Sequence, residues 1–465
     1  MRALLLIHRY LGIIGGALMV CWCLSGFVMM YVSYPELTEP ERVASLAPID
    51  WSACKGAPNA LPADATAGFR IEMLAGRPVL VDDHLPHPVL SDLCSGAPLA
   101  KVTPVVAASA AAAYLSGSAP RLAGSIVGDP WTVSGRFSAD RPLYHFVAGD
   151  DEGTEVYVSS ASGRVVQVTR REQRFWNWLG AIPHWLYLYE LRRHPEQWAQ
   201  VVIVASLLGC FLTLTGLYLS LRRLRVLPRL VAATPQSPRV WHSLSGFVFG
   251  LFTLSWVGSG LMSMQPWGLL DSSALDTKRL QGPSPSAARW QAALRSLSVR
   301  LAGSQFVSVE SHWSDGAPFF VARSPDGHGH RLDGEGRAAL PDERDWSALA
   351  HRLGCSPATL LTHEDAYLFA HHDETVALPA YRVALGDPAH HTLYFDATTG
   401  LLQAQFDQTA RAHRWVEGLH RVDLLPVLRR RPLWDSLVIV LLSGVSVVCL
   451  TGAWLAYRSL FVRER

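Results

Sequence analysis

The sequence predicts an α-helical membrane protein in which four transmembrane helices, related by an internal duplication, carry two extracytoplasmic α+β domains. Three observations support this fold class: four apolar stretches long enough to cross a bilayer, a histidine–glycine pattern that occurs twice, and two long polar segments between the apolar stretches. The composition agrees, since 49% of the 465 residues are hydrophobic and the mean hydropathy is +0.16.

The four apolar stretches predict spans over roughly residues 10–34, 198–221, 240–265 and 437–457. Each exceeds roughly 17 residues, the lower end of the range for a helix that crosses the hydrocarbon core. None contains Asp, Glu, Lys or Arg, and His242 is the only histidine among them. The first stretch lacks a small-residue cleavage site and recurs inside the chain, so we expect it to be a retained helix rather than a signal peptide.

Arginines near the span ends predict the orientation of the chain. Arg2 and Arg9 lie at the first span, and further arginines occupy the link between the second and third spans and the tail after the fourth: Arg222, Arg223, Arg225, Arg229, Arg239, Arg458, Arg463 and Arg465. All of them lie on one side. We therefore expect cytoplasmic termini, with the long segments on the opposite side of the membrane.

A repeated pattern predicts the duplication. The first and third spans match at a shift of 234 residues, with His8, Gly12, Gly16, Trp22, Ser25 and Gly26 recurring as His242, Gly246, Gly250, Trp256, Ser259 and Gly260. The second and fourth spans match at a shift of 236, with His184, Trp198, Thr215, Gly216 and Arg222 recurring as His420, Trp434, Thr451, Gly452 and Arg458. Each half therefore reads as helix, extracytoplasmic domain, helix.

These features divide the chain into seven predicted parts. Helices occupy 1–35, 198–222, 240–265 and 436–465 (with the tail), domains with interfacial helices occupy 36–197 and 266–435, and 223–239 is a cytoplasmic link. Within the domains, residues 155–168 and 392–402 alternate around a Gly-containing turn, which predicts β-hairpins. The alanine-rich run 106–115 predicts a helix, and we expect each domain to bury its own core.

The histidine–glycine pattern predicts a haem site near the cytoplasmic face. Residues four and eight apart share one face of a helix, so each imidazole stands above a strip without side chains. Haem needs an axial nitrogen and a flat wall. We expect His8 and His242 to bind one haem iron, against a wall of Gly12, Gly16, Gly246 and Gly250, with Arg9 and Arg239 pairing with the propionates. The alternative is a polar residue at a helix end that bonds to backbone.

A second haem site is predicted on the outer side. His184 and His420 lie 14 residues before Trp198 and Trp434, and residues 174–189 are rich in Trp and Tyr, as in an interfacial helix. Paired across the duplication, these two histidines would bind the outer haem. An ordinary interfacial histidine is the alternative reading, and each haem could instead use histidines from one half.

Other polar residues are assigned plainer roles. Ser25, Ser259, Thr215 and Thr451 are predicted to support close helix packing. A solvated surface is expected for the remaining histidine clusters and an acidic neighbour: His328, His330, His363, His371, His372, Asp373, His390 and His391. His194 and His413 lack histidine counterparts and rank low as ligands. Cys54 and Cys94 can form a disulfide if their compartment is oxidising.

The His8–Gly12 segment (HRYLG) and the Ser-Gly or Thr-Gly pairs in all four spans resemble the helices of the PepSY-associated transmembrane family. Residues 396–400 (DATTG) resemble a PepSY strand–turn–strand, and the resemblance covers essentially the whole chain. It implies PepSY-like extracytoplasmic domains. Some members are inner-membrane siderophore reductases with two b-type haems, and others are known mainly as iron-regulated membrane proteins.

The resemblance therefore implies an oxidoreductase that passes electrons across the membrane to ferric siderophore iron in the periplasm. The cytoplasmic parts are too short for an NAD(P)H or flavin domain, so the electron donor would be a quinol, a small reductant or another protein. No phosphate loop, zinc motif, nucleophile elbow or nucleic-acid pattern occurs. Two alternatives stay open: a non-enzymatic PepSY membrane module that regulates a protease or envelope protein, and a haem electron carrier for copper or a periplasmic disulfide.

Overall fold

A computed structural model describes residues 2–54, 56, 58–61, 68–82, 88–117, 119–223, 236–355, 357–371 and 375–461. Several residues named in the sequence predictions lie outside the described residues: Arg225, Arg229, His372, Asp373, Arg463 and Arg465. The α-helices are α1 (Arg2–Met29), α2 (Glu39–Ala44), α3 (Pro104–Tyr114), α4 (Arg171–Leu179), α5 (Ala181–Trp185), α6 (Tyr189–Arg192), α7 (Pro195–Arg223), α8 (Pro238–Ser263), α9 (Thr277–Gln281), α10 (Ala287–Arg300), α11 (Glu343–Leu353), α12 (Gln408–Arg421) and α13 (Leu433–Phe461).

The strands belong to three antiparallel sheets. They are β1 (Arg70–Leu74), β2 (Arg77–Asp82), β3 (Val89–Asp92), β4 (Arg121–Ile126), β5 (Leu143–Val147), β6 (Glu155–Ser159), β7 (Val165–Thr169), β8 (Ser308–Ser314), β9 (Ala317–Arg323), β10 (Gly329–Asp333), β11 (Thr359–Leu361), β12 (Ala380–Ala384), β13 (Thr392–Asp396) and β14 (Leu402–Phe406). One sheet has the order β10-β9-β8-β1-β2-β3, and the other two have the orders β4-β5-β6-β7 and β11-β12-β13-β14.

Four helices are long and apolar enough to cross a membrane: α1, α7, α8 and α13, with 28, 29, 26 and 29 residues. At about 1.5 Å per residue, each exceeds the hydrocarbon thickness of about 30 Å. The four predicted spans are confirmed, but α1 begins at Arg2 and ends at Met29 rather than covering 10–34. Because no helix breaker precedes residue 10, the helix starts earlier than predicted, and His8 and Arg9 belong to it. Tyr34 lies beyond it and packs against Trp131.

The four membrane helices form one bundle in which α1 packs on α7 and α13, and α8 packs on α7 and α13. Its centre is apolar, with Met19 and Cys23 of α1 packed in one cluster with Leu442, Val445 and Cys449 of α13. Small residues permit close approach: an added Cβ at Gly16 would lie 3.7 Å from the Ala453 backbone.

The six-stranded sheet is shared between the two long segments. Strand β1 of the first pairs antiparallel with β8 of the second, and Ile71 lies opposite Val309. Helix α10 covers this sheet, and its Trp290 and Leu294 share a core with Phe69 of the first segment. Each segment also buries a core of its own, around Val156 in the first and Val383 in the second, so the expectation is confirmed and the shared core adds to it. Pairing β1 with β8 satisfies two edges that would otherwise present unpaired backbone groups.

The predicted hairpins are confirmed as β6–β7 and β13–β14, and their turns place Gly163 and Gly400 at positive φ, +72° and +75°. The predicted alanine-rich helix is α3, which Thr103 caps by accepting a hydrogen bond from the backbone N–H of Val106. Cys54 and Cys94 form a disulfide, which settles in this structure a pairing that the sequence left open.

Each four-stranded sheet is followed in the chain by a helix that carries one of the outer histidines, after one intervening helix in the first segment. Strand β7 is followed by α4 and then by α5, which contains His184, and β14 is followed by α12, which contains His420. The Asn177 side chain of α4 donates a hydrogen bond to the Ser33 carbonyl just beyond α1, at 3.0 Å. The sheets therefore position short helices against the ends of the membrane bundle.

Candidate functional site

The predicted inner histidines lie close together in the bundle. His8 of α1 and His242 of α8 have ring centroids 6.1 Å apart, with an angle of 36° between the rings. Nδ1 of His8 lies 3.2 Å from the Leu212 carbonyl oxygen and 3.0 Å from Oγ1 of Thr215, both on α7. In the first half of the chain, the second membrane helix (α7) therefore orients the histidine of the first membrane helix (α1).

His242 has the equivalent partners on α13. Its Nδ1 lies 3.1 Å from the Val448 carbonyl oxygen and 3.2 Å from Oγ1 of Thr451. The glycine after each threonine makes room for the ring, because a Cβ at Gly216 or Gly452 would lie 2.8 or 2.9 Å from Cε1 of the histidine. Each Thr-Gly pair thus supplies a hydrogen-bond acceptor and a space for one imidazole.

The predicted outer histidines also meet. His184 of α5 and His420 of α12 have ring centroids 6.1 Å apart, with the rings at 67°. Nδ1 of His184 lies 3.2 Å from the Trp22 carbonyl oxygen and 3.0 Å from Oγ of Ser25 on α1. The predicted interfacial segment is thus broken into short helices, and its histidine reaches down to the end of a membrane helix.

His420 repeats this arrangement on α8. Its Nδ1 lies 3.1 Å from the Trp256 carbonyl oxygen and 3.2 Å from Oγ of Ser259. The predicted role of the four hydroxyl residues as packing elements alone was therefore incomplete, since each one contacts a histidine. The signal that could have revealed this role was already in the repeat, because each of these four hydroxyl residues precedes a glycine and recurs at a shift that two of the histidines also show.

The Nδ1 contacts determine which ring nitrogen is free. A backbone carbonyl can only accept, so Nδ1 carries the proton in all four rings, and Nε2 is left with its lone pair. Within the described parts of the chain, Nε2 of these four histidines makes no hydrogen bond. A histidine that ligates a metal through one nitrogen commonly donates its other N–H to a carbonyl in this way.

The spacing of both pairs fits two imidazoles on one metal ion. With metal–nitrogen bonds of about 2 Å on opposite sides of the ion, the ring centroids lie about 6 Å apart. Both pairs have this separation, 6.1 Å. No group of three or more His, Cys, Asp or Glu side chains placed to hold a metal occurs in the described residues. Two imidazoles would be enough protein ligands for a cofactor that supplies its own in-plane ligands, as haem does.

A cavity of about 680 Å³ surrounds the inner pair. Its volume lies within the range of roughly 300–1,000 Å³ that is usual for cofactor and ligand sites. The lining includes all eight residues predicted for the inner site: His8, Arg9, Gly12, Gly16, Arg239, His242, Gly246 and Gly250. The structure therefore brings these residues together.

The four glycines contribute differently to the cavity. A Cβ at Gly12 would have no neighbour within 4 Å, so this glycine borders open space. At Gly250 a Cβ would lie 2.6 Å from Leu217 Cδ2, so this glycine also allows α7 to approach α8 closely. The flat wall predicted from the sequence therefore applies best to Gly12.

Two arginines that the sequence did not assign to the site, Arg223 and Arg458, also line the cavity beside Arg9 and Arg239. No Asp or Glu is among its described lining residues. Arg9 also donates to the Ser459 carbonyl oxygen, at 3.3 Å, which holds α1 against α13. The four arginines make this part of the cavity wall positively charged, which favours carboxylates such as haem propionates.

Two of the histidines predicted to lie on a solvated surface are partnered instead. His391 is 4% exposed, with Nδ1 2.6 Å from an Asp387 carboxylate oxygen and Nε2 2.8 Å from the Ser273 carbonyl oxygen. Burial lowers the pKa of His391, but these two acceptors outweigh it and raise the pKa. His371 lies 2.8 Å from Asp423. The prediction was wrong for both, because folding supplied acceptors from distant segments.

The remaining histidines agree with the prediction. The described members of the surface group are exposed: His328, His330, His363 and His390. His194 is exposed and His413 half-buried, and neither belongs to a pair of the kind described above.

Comparison with known proteins identifies the family. A search of curated proteins found no match. A family model, described as the PepSY-associated TM region, matches residues 5–459 and thus includes both histidine pairs and all four membrane helices. Since this match covers nearly the whole chain, the protein belongs to the PepSY-associated transmembrane family.

Proposed function

We propose that this protein is an inner-membrane di-haem reductase that passes electrons across the bilayer to ferric siderophore iron in the periplasm. One observation carries the proposal: two histidine pairs have the same 6.1 Å spacing, and all four rings are anchored through Nδ1 by a carbonyl and a hydroxyl. His8 and His242 would hold one b-type haem, and His184 and His420 the other. When bound, haem supplies reversible one-electron chemistry at each site.

The positions of the pairs support transfer across the membrane. On α1, His8 belongs to the inner pair, whereas Trp22 and Ser25 anchor a histidine of the outer pair. An interval of 14 to 17 residues corresponds to roughly 21–26 Å along a helix, which is most of the hydrocarbon thickness. The bundle therefore holds one site near each face and excludes water from the apolar core between them.

We further propose that the chain arose by internal duplication, with a pseudo-two-fold axis along the membrane normal. Contacts related by the sequence shift support this: His8 with Thr215 corresponds to His242 with Thr451. Both termini and the link between α7 and α8 would be cytoplasmic, following the arginine distribution. The Cys54–Cys94 disulfide supports placing the sheets in the oxidising periplasm.

The choice of acceptor rests on the resemblance to siderophore reductases within the family. Reduction to Fe(II) weakens binding by hard oxygen ligands, so electron delivery would release the metal from the siderophore. The donor would be a quinol, a small reductant or another protein. The protein's contribution is to orient the imidazoles, to provide cationic partners for propionates and to keep the path dry.

The test is a dithionite-reduced minus oxidised spectrum of the detergent-purified protein, with haem quantified per chain. We expect a b-type α-band and two haems per chain. Proteoliposomes with an internal reductant should then reduce an external ferric siderophore. If protein expressed with adequate haem supply contained no haem, the reductase proposal would fail, and a regulatory PepSY membrane module would be the better explanation. Haem with no siderophore reduction would favour another acceptor, such as copper or a disulfide.

A further inference from the structure

Two buried thiols meet between the histidine pairs. Cys23 of α1 and Cys449 of α13 are each 8% exposed, and their sulfur atoms lie 3.5 Å apart. Both cysteines are free, so the sulfurs are in contact but not bonded. The duplication does not require this pair, because the positions equivalent to Cys23 and Cys449 hold Val257 and Thr213.

Each thiol directly follows a residue that anchors a histidine. The Trp22 carbonyl accepts a hydrogen bond from Nδ1 of His184 in the outer pair, at 3.2 Å. The Val448 carbonyl accepts one from Nδ1 of His242 in the inner pair, at 3.1 Å. A chain of covalent bonds and one hydrogen bond therefore leads from each pair to one sulfur. The sulfur–sulfur contact is the single through-space step that this route needs.

We propose that the contact between Cys23 and Cys449 is the bridge through which an electron passes between the inner and outer sites. This inference rests on the proposed function. Electronic coupling falls more steeply across a gap than along bonds, and sulfur is large and polarizable, which favours coupling at a contact. One electron leaves the inner site and one arrives at the outer site. Neither thiol is oxidised, no disulfide forms, and both protons stay on sulfur.

The equivalent route on the other side of the bundle lacks this bridge. It would run from the carbonyl that anchors His8 to the one that anchors His420, through Thr213 and Val257. The Thr213 hydroxyl donates to the Gly209 carbonyl oxygen of its own helix, at 2.8 Å, and Val257 offers only methyl groups. We therefore expect transfer to be asymmetric, with the cysteine route dominant.

The contact itself can be tested on full-length protein without any cofactor. In a variant that lacks the other free cysteines (Cys21→Ser, Cys210→Ser and Cys355→Ser), mild oxidation or a short bifunctional thiol reagent should join residues 23 and 449. After proteolysis of the segments between the helices, mass spectrometry should find the α1 and α13 peptides linked. Two peptides that stay separate under these conditions would overturn the contact and with it the bridge.

The role of the contact is tested by electron transfer in vesicles, with reductant inside and a membrane-impermeant acceptor outside. Cys23→Ala and Cys449→Ala should each slow transfer several-fold, and the double variant should be no slower than either single one, because one bridge is broken in each case. Val257→Ala, at the position equivalent to Cys23, and Cys210→Ala should transfer electrons at the rate of the unmodified protein.

Haem content and reduced spectra of every variant separate the two hypotheses. Cysteine variants with normal haem content and unchanged transfer rate would overturn the bridge and leave the proposed function standing. Equal slowing in Val257→Ala would also overturn it, since packing alone would then explain the effect. An unmodified protein without haem or transfer would instead overturn the proposed function.

Discussion

The inner and outer histidine pairs share a geometry but are built from different elements. Both have ring centroids 6.1 Å apart, and each ring is held by one carbonyl and one hydroxyl. The inner histidines belong to membrane helices and are anchored by membrane helices. The outer ones belong to α5 and α12, short helices that follow sheets, and are anchored by α1 and α8. The inner pair therefore needs only the bundle, whereas the outer pair needs the sheets to dock on it.

The surroundings of the two pairs also differ. The inner pair lies in a cavity of about 680 Å³ with arginines and glycines in its wall. At the outer pair, Gly260 lies close to one ring, with an added Cβ 3.4 Å from Cε1 of His420. The same anchoring carbonyl and hydroxyl of a membrane helix therefore hold a histidine that comes either from within the bundle or from a helix outside it, and the two kinds of site should respond differently to mutation.

The largest effect should come from removing a ligand. His8→Ala or His242→Ala should abolish the inner haem and leave the outer one, whereas His184→Ala or His420→Ala should do the reverse. Haem quantification would show half of the normal content in each case, and His328→Ala, an exposed histidine, is the control. Full haem content in all four variants would show that the ligand assignment is wrong. Loss of both haems from a single inner variant would show that the sites are not independent.

Filling the inner cavity should have the next largest effect. Gly12→Leu places a side chain in open space, because a Cβ there has no neighbour within 4 Å. We expect loss of most of the inner haem with the fold and the outer haem retained. Gly15→Leu is the matched control on the same helix: it too has free space around its Cβ, but it does not line the cavity. Equal haem content in the two variants would contradict a cofactor role for the Gly12 side of the cavity.

The outer pair should depend on a buried ionic cluster that joins the shared sheet, through Arg42 and Glu39, to Arg164 in the β6–β7 hairpin, which precedes α4 and α5. Glu72 of β1 contacts Arg42 at 2.6 Å and Arg70 at 2.9 Å, and Ser308 of β8 donates to it at 3.0 Å. Burial raises the pKa of Glu72, but Arg70 and Arg42 outweigh it and lower the pKa to about 2. The folded pKa lies below the unfolded value of about 4.3, so the stabilisation is complete above that value and is lost as the pH falls towards 2.

Glu72→Gln should therefore reduce the free energy of unfolding of the sheets at pH 7 by about 3 kcal/mol. Hydrogen exchange of the shared sheet would measure the loss. The variant should also lose less further stability than the unmodified protein between about pH 5 and pH 2. It should release the outer haem before the inner one. Glu36→Gln, which breaks an exposed pair with Arg136, is the control and should change little. Equal weakening of both haem sites would contradict the separation of the pairs.

The smallest effect should come from removing one anchoring hydroxyl. Thr215→Val leaves the Leu212 carbonyl on Nδ1 of His8 but removes the second acceptor. Loss of such an outer partner commonly costs about 10- to 100-fold in affinity for the bound group. Ser25→Ala should weaken the outer site by a similar factor. Haem transfer to an acceptor protein would measure both, with Ser206→Ala on α7 as the control. Unchanged affinities would limit these hydroxyls to helix packing.

Much of the membrane half of the protein could be predicted from the sequence. Apolar length identifies the four spans, since a bilayer imposes a minimum number of apolar residues on any helix that crosses it. The shift of 234 residues identifies His8 and His242 as equivalent, and equivalent residues on symmetry-related helices can meet at the axis. The same reasoning paired His184 with His420, and the structure confirms that both pairs are close in space.

The extramembrane half was less predictable. Hairpins and an alanine-rich helix follow from local patterns. The pairing of β1 with β8, in contrast, joins residues more than 230 positions apart. The sequence pattern of β1 would have suited the edge of any other apolar strand equally well. The burial of His391 has the same cause, because Ser273 reaches it only after the chain has folded.

The sequence by itself therefore determined the spans, the repeat and the identity of the four paired histidines, since these depend on composition and period. Only the tertiary structure decided which nitrogen of each ring is free, which glycine borders open space, and that Cys23 touches Cys449. These features depend on distances between helices, and such distances are set by the packing of many side chains at once. A linear pattern does not encode them.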